Sequence, residues 1–106
     1  MAGEIVVFVT AAAKDEAEKI GSALVGEHLA ACVNIIPEIR SFFFWQGKLQ
    51  AEHEVLLVCK SRLPLLDKLT ARVKALHSYT VPEIVALPII GGAPEYLAWL
   101  HQSTPD

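Results

Sequence analysis

Residues 39–60, IRSFFFWQGKLQAEHEVLLVCK, place apolar side chains at consecutive positions along both arms of what the pattern predicts to be one long β-hairpin. Successive side chains of a strand point to opposite faces, so Phe42 and Phe44 share one face and Phe43 and Trp45 the other. On the return arm Val55, Leu57 and Cys59 oppose Leu56 and Val58 in the same way. Gln46-Gly47 supplies the turn. The first arm begins near Cys32 and passes Pro37, which has no N–H to give to a ladder and so marks an edge or a bulge.

The remaining elements follow from the same kind of pattern. Residues 4–10, EIVVFVT, form a strand by their β-branched and aromatic content. A first helix is expected over residues 14–30, where Ala17, Ile20, Leu24 and His28 recur at helical spacing and Asp15 can pair with Lys19. Gly21 and Gly26 each cost such a helix about 1 kcal/mol relative to alanine, which implies that something packs close to its backbone there. A second helix is expected over residues 61–76, capped by Ser61, with Pro64 in its first turn and Leu66, Leu69, Val73 and Leu76 as its apolar stripe. His77-Ser78-Tyr79 breaks that stripe. A last strand over residues 83–90 precedes Gly91-Gly92, and residues 94–100 open a short terminal helix.

The order βαββαβ plus a short C-terminal helix predicts an α+β fold: a ferredoxin-like plait with a four-stranded antiparallel sheet, a long central hairpin and both main helices on one side. The far sheet face is left open. A second apolar face must be buried by something. In 106 residues, expected to form one domain over 1–106, the natural cover is another copy of the chain.

Composition sharpens this expectation. Charged residues make up 20%, against about 25% in an average soluble protein, so polar side chains to coat a monomer are scarce. The nine Lys and Arg are scattered singly in a chain of net charge −3, which argues against nucleic acid as a partner. No apolar run approaches the ~20 residues of a membrane helix, so no membrane is expected, and MAGEIVVFVTAAAKDE reads as a strand rather than a secretion signal. Cys32 and Cys59 show no C-x-x-C spacing and sit in apolar, strand-like runs. Buried free thiols in a reducing, cytoplasmic setting are expected.

The densest chemistry lies after the second helix, where His77, Tyr79 and Glu83 fall within seven residues. One reading is a site with His77 as metal ligand or proton shuttle and Glu83 as its carboxylate partner. The other is structural, with His77 serving the helix C-terminus, Tyr79 packing and Glu83 holding neighbouring backbone. Cys32 has a thiolate that suits copper or zinc, or is an inert core residue. The histidines show no H-x-x-x-H or H-E-x-x-H spacing, so no zinc cage is expected within one chain. Neither a G-x-S-x-G elbow nor a glycine-rich phosphate loop ahead of a helix is present, and the chain is expected not to be an enzyme and to need no organic cofactor. Lys60 ends an otherwise apolar strand, where an ammonium can face a phosphate or carboxylate.

Five blocks closely resemble the CutA divalent-cation-tolerance proteins: ACVNIIP at 31–37, SFFFW-x-GK at 41–48, EVLLVCK at 54–60, HSY-x-VPEI at 77–84 and YLAWL at 96–100. The resemblance runs from Ile5 to Leu100 without a large insertion. It implies a tight homotrimer similar in architecture to the PII signalling proteins, sheets inward and helices outward, that binds copper or another divalent cation. Metal ligands attributed to bacterial members are a cysteine before the Thr-Ala ending strand one and two adjacent histidines after helix two. Only His77 is matched here, since Val9 precedes Thr10-Ala11 and Leu76 stands beside His77. A trimer would have to gather His77 with Cys32 or Glu83 of a neighbour. The alternative that the resemblance implies is a sensor or scaffold taking a small anionic metabolite in the inter-subunit cleft, at Trp45, Lys60, Tyr79 and Glu83.

Overall fold

The structure, a computed structural model, describes residues 3–105. The chain runs β1 (Glu4–Ala11), α1 (Lys14–Gly26), β2 (Cys32–Trp45), β3 (Lys48–Arg62), a 3-10 turn (Leu63–Leu65), α2 (Leu66–Leu76), β4 (Ile84–Pro88) and α3 (Pro94–Ser103). All strand pairs are antiparallel, in the order β2-β3-β1-β4. This is the α+β ferredoxin-like plait that the element order predicts.

Alternation along the strands decides where the core sits. Ile5, Val7, Val9 and Ala11 of β1 and Val55, Leu57 and Cys59 of β3 face the helices and bury against Ala17, Ile20 and Leu24 of α1 and Leu69 and Val73 of α2. Val33 and Ile35 of β2 pack beside α1, and a Cβ on Gly21 would meet the Val33 Cγ1 at 3.2 Å. The close approach expected at Gly21 is therefore present, whereas at Gly26 a Cβ would meet open space.

Three boundaries differ from the sequence pattern. Helix α1 stops at Gly26, and the N–H groups of Leu29 and Ala30 both reach the Leu24 carbonyl, turning the chain toward β2. His28 consequently leaves the helical stripe with φ 61°. Ser61 is no helix cap: β3 pairs with β1 as far as Glu4↔Arg62, and the Ser61 hydroxyl, fully buried, donates to the Leu29 carbonyl at 2.6 Å. Continuing the ladder satisfies two strands at once, and α2 starts only after the turn that contains Pro64. Strand β4 is shorter than the pattern suggests, ending at Pro88.

The opposite sheet face carries Val6, Phe8, Leu56, Val58, Val85 and Leu87, and helix α3 crosses one end of it. His101 pairs there with the buried Glu4, and the Arg62 Nε donates to the Thr104 carbonyl and hydroxyl at 3.0 Å each. The rest of the face stays partly open, with Val85 and Leu87 exposed. Beyond Ala11↔Val55, residues 48–54 of β3 pair only with β2, so the hairpin projects from the sheet by roughly 20 Å. The protein is accordingly elongated, 44 × 24 × 23 Å. No helix among the described residues is long and apolar enough to cross a membrane.

Candidate functional site

The loop leaving α2 is held from three directions. His77 takes extended backbone where the helix ends, and its Nε2 lies 2.6 Å from the Thr10 carbonyl at the end of β1. Its Nδ1 accepts the Tyr79 N–H at 3.0 Å, and the two rings pack with centroids 4.7 Å apart. The Tyr79 hydroxyl donates to the Glu54 Oε2 at 2.8 Å. Burial pushes the Tyr79 phenol well above its ordinary range, and the hydrogen bond and charge of Glu54 add to that. From α1, the Glu16 carboxylate accepts the Ser78 N–H at 2.8 Å, the Ser78 hydroxyl at 3.2 Å and the Ala12 N–H at 3.4 Å.

Neither Glu16 nor Glu54 stands out by sequence reasoning. Glu16 had a signal, for it occupies the third position of α1, where a glutamate reaches back to N–H groups at the helix start. Glu54 had little: it is a buried carboxylate where the polar part of β3 meets the apolar part. Beside it opens a groove of about 340 Å³ lined by Lys14, Pro37, Glu38, His53 and Glu54. Pro37 and Glu38 lie on the edge strand where the β2–β3 register shifts between Ile36 and Ile39, so the stretch that the sequence marks as an edge or a bulge forms one wall of this groove. His53 Nδ1 and Glu38 Oε2 pair at 2.6 Å with both side chains largely in solvent.

A second polar cluster interrupts the opposite sheet face. Cys32 and Lys60 are cross-strand partners, and the Lys60 ammonium and the Cys32 thiol both donate to the Asn34 side-chain oxygen, the thiol at 3.8 Å. Tyr96 of α3 lies beside the same sulfur: burial above all raises its phenol, and the neighbouring Cys32 adds to that. Cys59 is a buried free thiol as expected, pushed up to about 12 by burial, which outweighs the opposing effect of Lys60. Cys32 is only half-buried.

These positions test which sequence candidates can meet within one chain. His77 contacts Thr10, which pairs with Leu56, and Glu83 directly precedes Ile84, which pairs with Val9. Cys32 pairs with Lys60, four residues farther along β3, or roughly 13 Å. Trp45 sits at the hairpin tip opposite Lys48, roughly 40 Å along the strand from Lys60. His77 and Glu83 thus share one end of the sheet, Cys32 and Lys60 share the other, and Trp45 stands apart from both. Among the described residues no group of three or more His, Cys, Asp and Glu side chains is placed to hold a metal ion.

The identity of the chain follows from matching this architecture and these blocks to known proteins. Residues 5–103 match the model of the CutA1 divalent ion tolerance protein family. The chain belongs to this family. The chloroplastic CutA 1 of Oryza sativa is 51% identical over 102 residues, covering 96% of this chain and 58% of that protein. The divalent-cation tolerance protein CutA of Thermus thermophilus is 52% identical over 101 residues, covering 95% of this chain and 98% of its relative. This chain therefore spans little more than half the length of the plant protein and nearly all of the bacterial one. Among solved structures, the T. thermophilus Cut A1 protein superposes with a TM-score of 0.94 at 51% identity, over 96% of this chain and 99% of that one. CutA1 from O. sativa gives 0.96 at 48% identity, over 99% and 96%. CutA relatives are named for different compartments, chloroplastic for the rice protein and periplasmic for one from Archaeoglobus fulgidus.

Proposed function

We propose that this CutA chain works as a cytoplasmic homotrimer that binds a divalent cation, copper foremost, without catalysing a reaction. The observation that carries the assembly is the hairpin end, where Phe42 and Phe44 are 66% and 74% exposed on one face while Phe43 and Trp45 are exposed on the other. A two-stranded ribbon gains little stability alone in water, and an apolar edge strand is a template for pairing with another chain. Copies of the chain that bury these aromatics against one another resolve both problems, and family membership supports three of them. The two free cysteines support a reducing compartment.

Among the described residues of one chain, donor groups for a cation do not gather in threes, so the site in this reading is shared between subunits, with Cys32 and Glu83 as candidate donors. Copper is favoured over other divalent ions at any site containing nitrogen or sulfur. Calorimetric titration of the assembled protein with copper tests this, repeated on Cys32→Ala and Glu83→Gln. Saturable heat that weakens in either variant is expected, and absence of heat in the wild type removes the metal role.

Lys60 favours a second reading, a PII-like sensor or scaffold that takes a small anionic metabolite between subunits, with Trp45 and Tyr79 from neighbouring chains beside it. Its ammonium lies in the cross-strand row of Leu87, Val6 and Cys32, and is held by Asn34. Thermal-shift measurements against nucleotides and carboxylates test it, because a ligand bound only to the folded assembly raises its melting temperature. No shift across such a panel argues against this reading.

A further inference from the structure

We propose that His77 is a positioning residue and not a metal donor: its neutral imidazole, held between two backbone groups, sets Tyr79 against Glu54 and pins the α2–β4 loop to the end of β1. A carbonyl oxygen only accepts, so the nitrogen facing Thr10, Nε2, carries the proton. A backbone N–H only donates, so Nδ1, which receives the Tyr79 N–H, is bare. One tautomer meets both demands. Its single lone pair is already in use.

A metal-binding histidine commonly anchors its N–H on a carbonyl and offers the other nitrogen to the ion. His77 has the first half of that arrangement, but the second half is taken by Tyr79. Coordination through Nδ1 would release the Tyr79 N–H, and coordination through Nε2 would displace the proton from the Thr10 carbonyl, on a residue only 6% exposed. Either route opens the loop. The consequence extends past the ring, since the Tyr79 side chain packs on His77 and closes on the buried Glu54, which lines the groove with Lys14 and His53. His53 is the more accessible imidazole, with 64% of its side chain exposed.

The test is a long-range proton–nitrogen correlation spectrum of the assembled, isotope-labelled protein at neutral pH, before and after one equivalent of zinc chloride. Without zinc, His77 is expected to show a protonated Nε2 and a bare Nδ1, and zinc is expected to leave both signals in place. A protonated Nδ1, or a His77 nitrogen that moves to a metal-bound position, overturns the proposal. Hydrogen exchange supplies a second reading that does not depend on any cation: His77→Phe should speed exchange of the Tyr79 amide about tenfold, the scale of one lost hydrogen bond, while zinc affinity stays unchanged. Unchanged exchange, or zinc affinity lost in this variant, refutes the assignment. If the wild type binds no zinc, the cation reading rests on the copper titration alone, whereas the tautomer seen in the zinc-free spectrum still decides the role of His77.

Discussion

Replacing Tyr79 with phenylalanine removes one oxygen and nothing else from the loop after α2, because the ring keeps its packing on His77 and the Tyr79 N–H keeps its bond to Nδ1. What is lost is the hydroxyl's 2.8 Å hydrogen bond to Glu54, a side chain 7% exposed. A hydrogen bond to a carboxylate is worth about 1.5–3 kcal/mol net, and a buried acceptor left without its donor carries its full desolvation penalty. Tyr79→Phe should therefore lower stability by about 2 kcal/mol. Urea unfolding at fixed chain concentration measures this, the concentration being held because assembly and folding are linked. Adding Glu54→Ala, which leaves no acceptor for the hydroxyl, in a double-mutant cycle isolates the pair, and a coupling of about 1 kcal/mol or more is expected between groups in direct contact. A Tyr79→Phe protein within about 0.5 kcal/mol of wild type, or a coupling near zero, would refute the idea that this contact holds the loop.

Two further outcomes follow from the backbone and the core. Gly26→Ala meets open space at the end of α1 and should raise stability by up to about 1 kcal/mol, while Gly21→Ala drives a methyl to 3.2 Å from Val33 and should forfeit that gain; thermal melts of the two variants side by side check the contrast. Cys59 keeps its proton in the folded state up to about pH 12, whereas an unfolded thiol ionises near its ordinary value of 9.0. The unfolded state then binds fewer protons, so stability should fall as pH rises above about 9, by up to ~1.4 kcal/mol per unit from this group, and Cys59→Ala should flatten the alkaline limb of the stability curve.

Element order was legible because each element carries its own periodicity: β-branched residues in β1, a stripe at helical spacing in α2, and the long doubly apolar hairpin. Its errors lie where long-range pairing overrode a local signal. Ser61 followed by Pro64 reads as a helix start, yet the ladder with β1 holds Ser61 in a strand. His28 continues the spacing of α1, yet the turn toward β2 ends the helix first. For the candidate site, His77 and Tyr79 were visible as a cluster of titratable groups in a loop, but their partners were not. Glu16, Glu54 and the Thr10 carbonyl come from three other elements, and no spacing along the chain shows that they converge. The Lys60–Asn34–Cys32 cluster was hidden for a related reason, since Asn34 looks like a polar interruption of β2 until the register sets it beside β3.

Aromatic ribbons that one chain leaves uncovered call for a shared assembly, and its most direct test is the mass of the protein in solution. Multi-angle light scattering on a sizing column should find about 35 kDa, three chains of 11.6 kDa, and Phe42→Glu combined with Phe44→Glu should lower it. A folded, soluble wild-type protein that stays at 11.6 kDa across micromolar concentrations would contradict the shared assembly and the inter-subunit sites proposed with it.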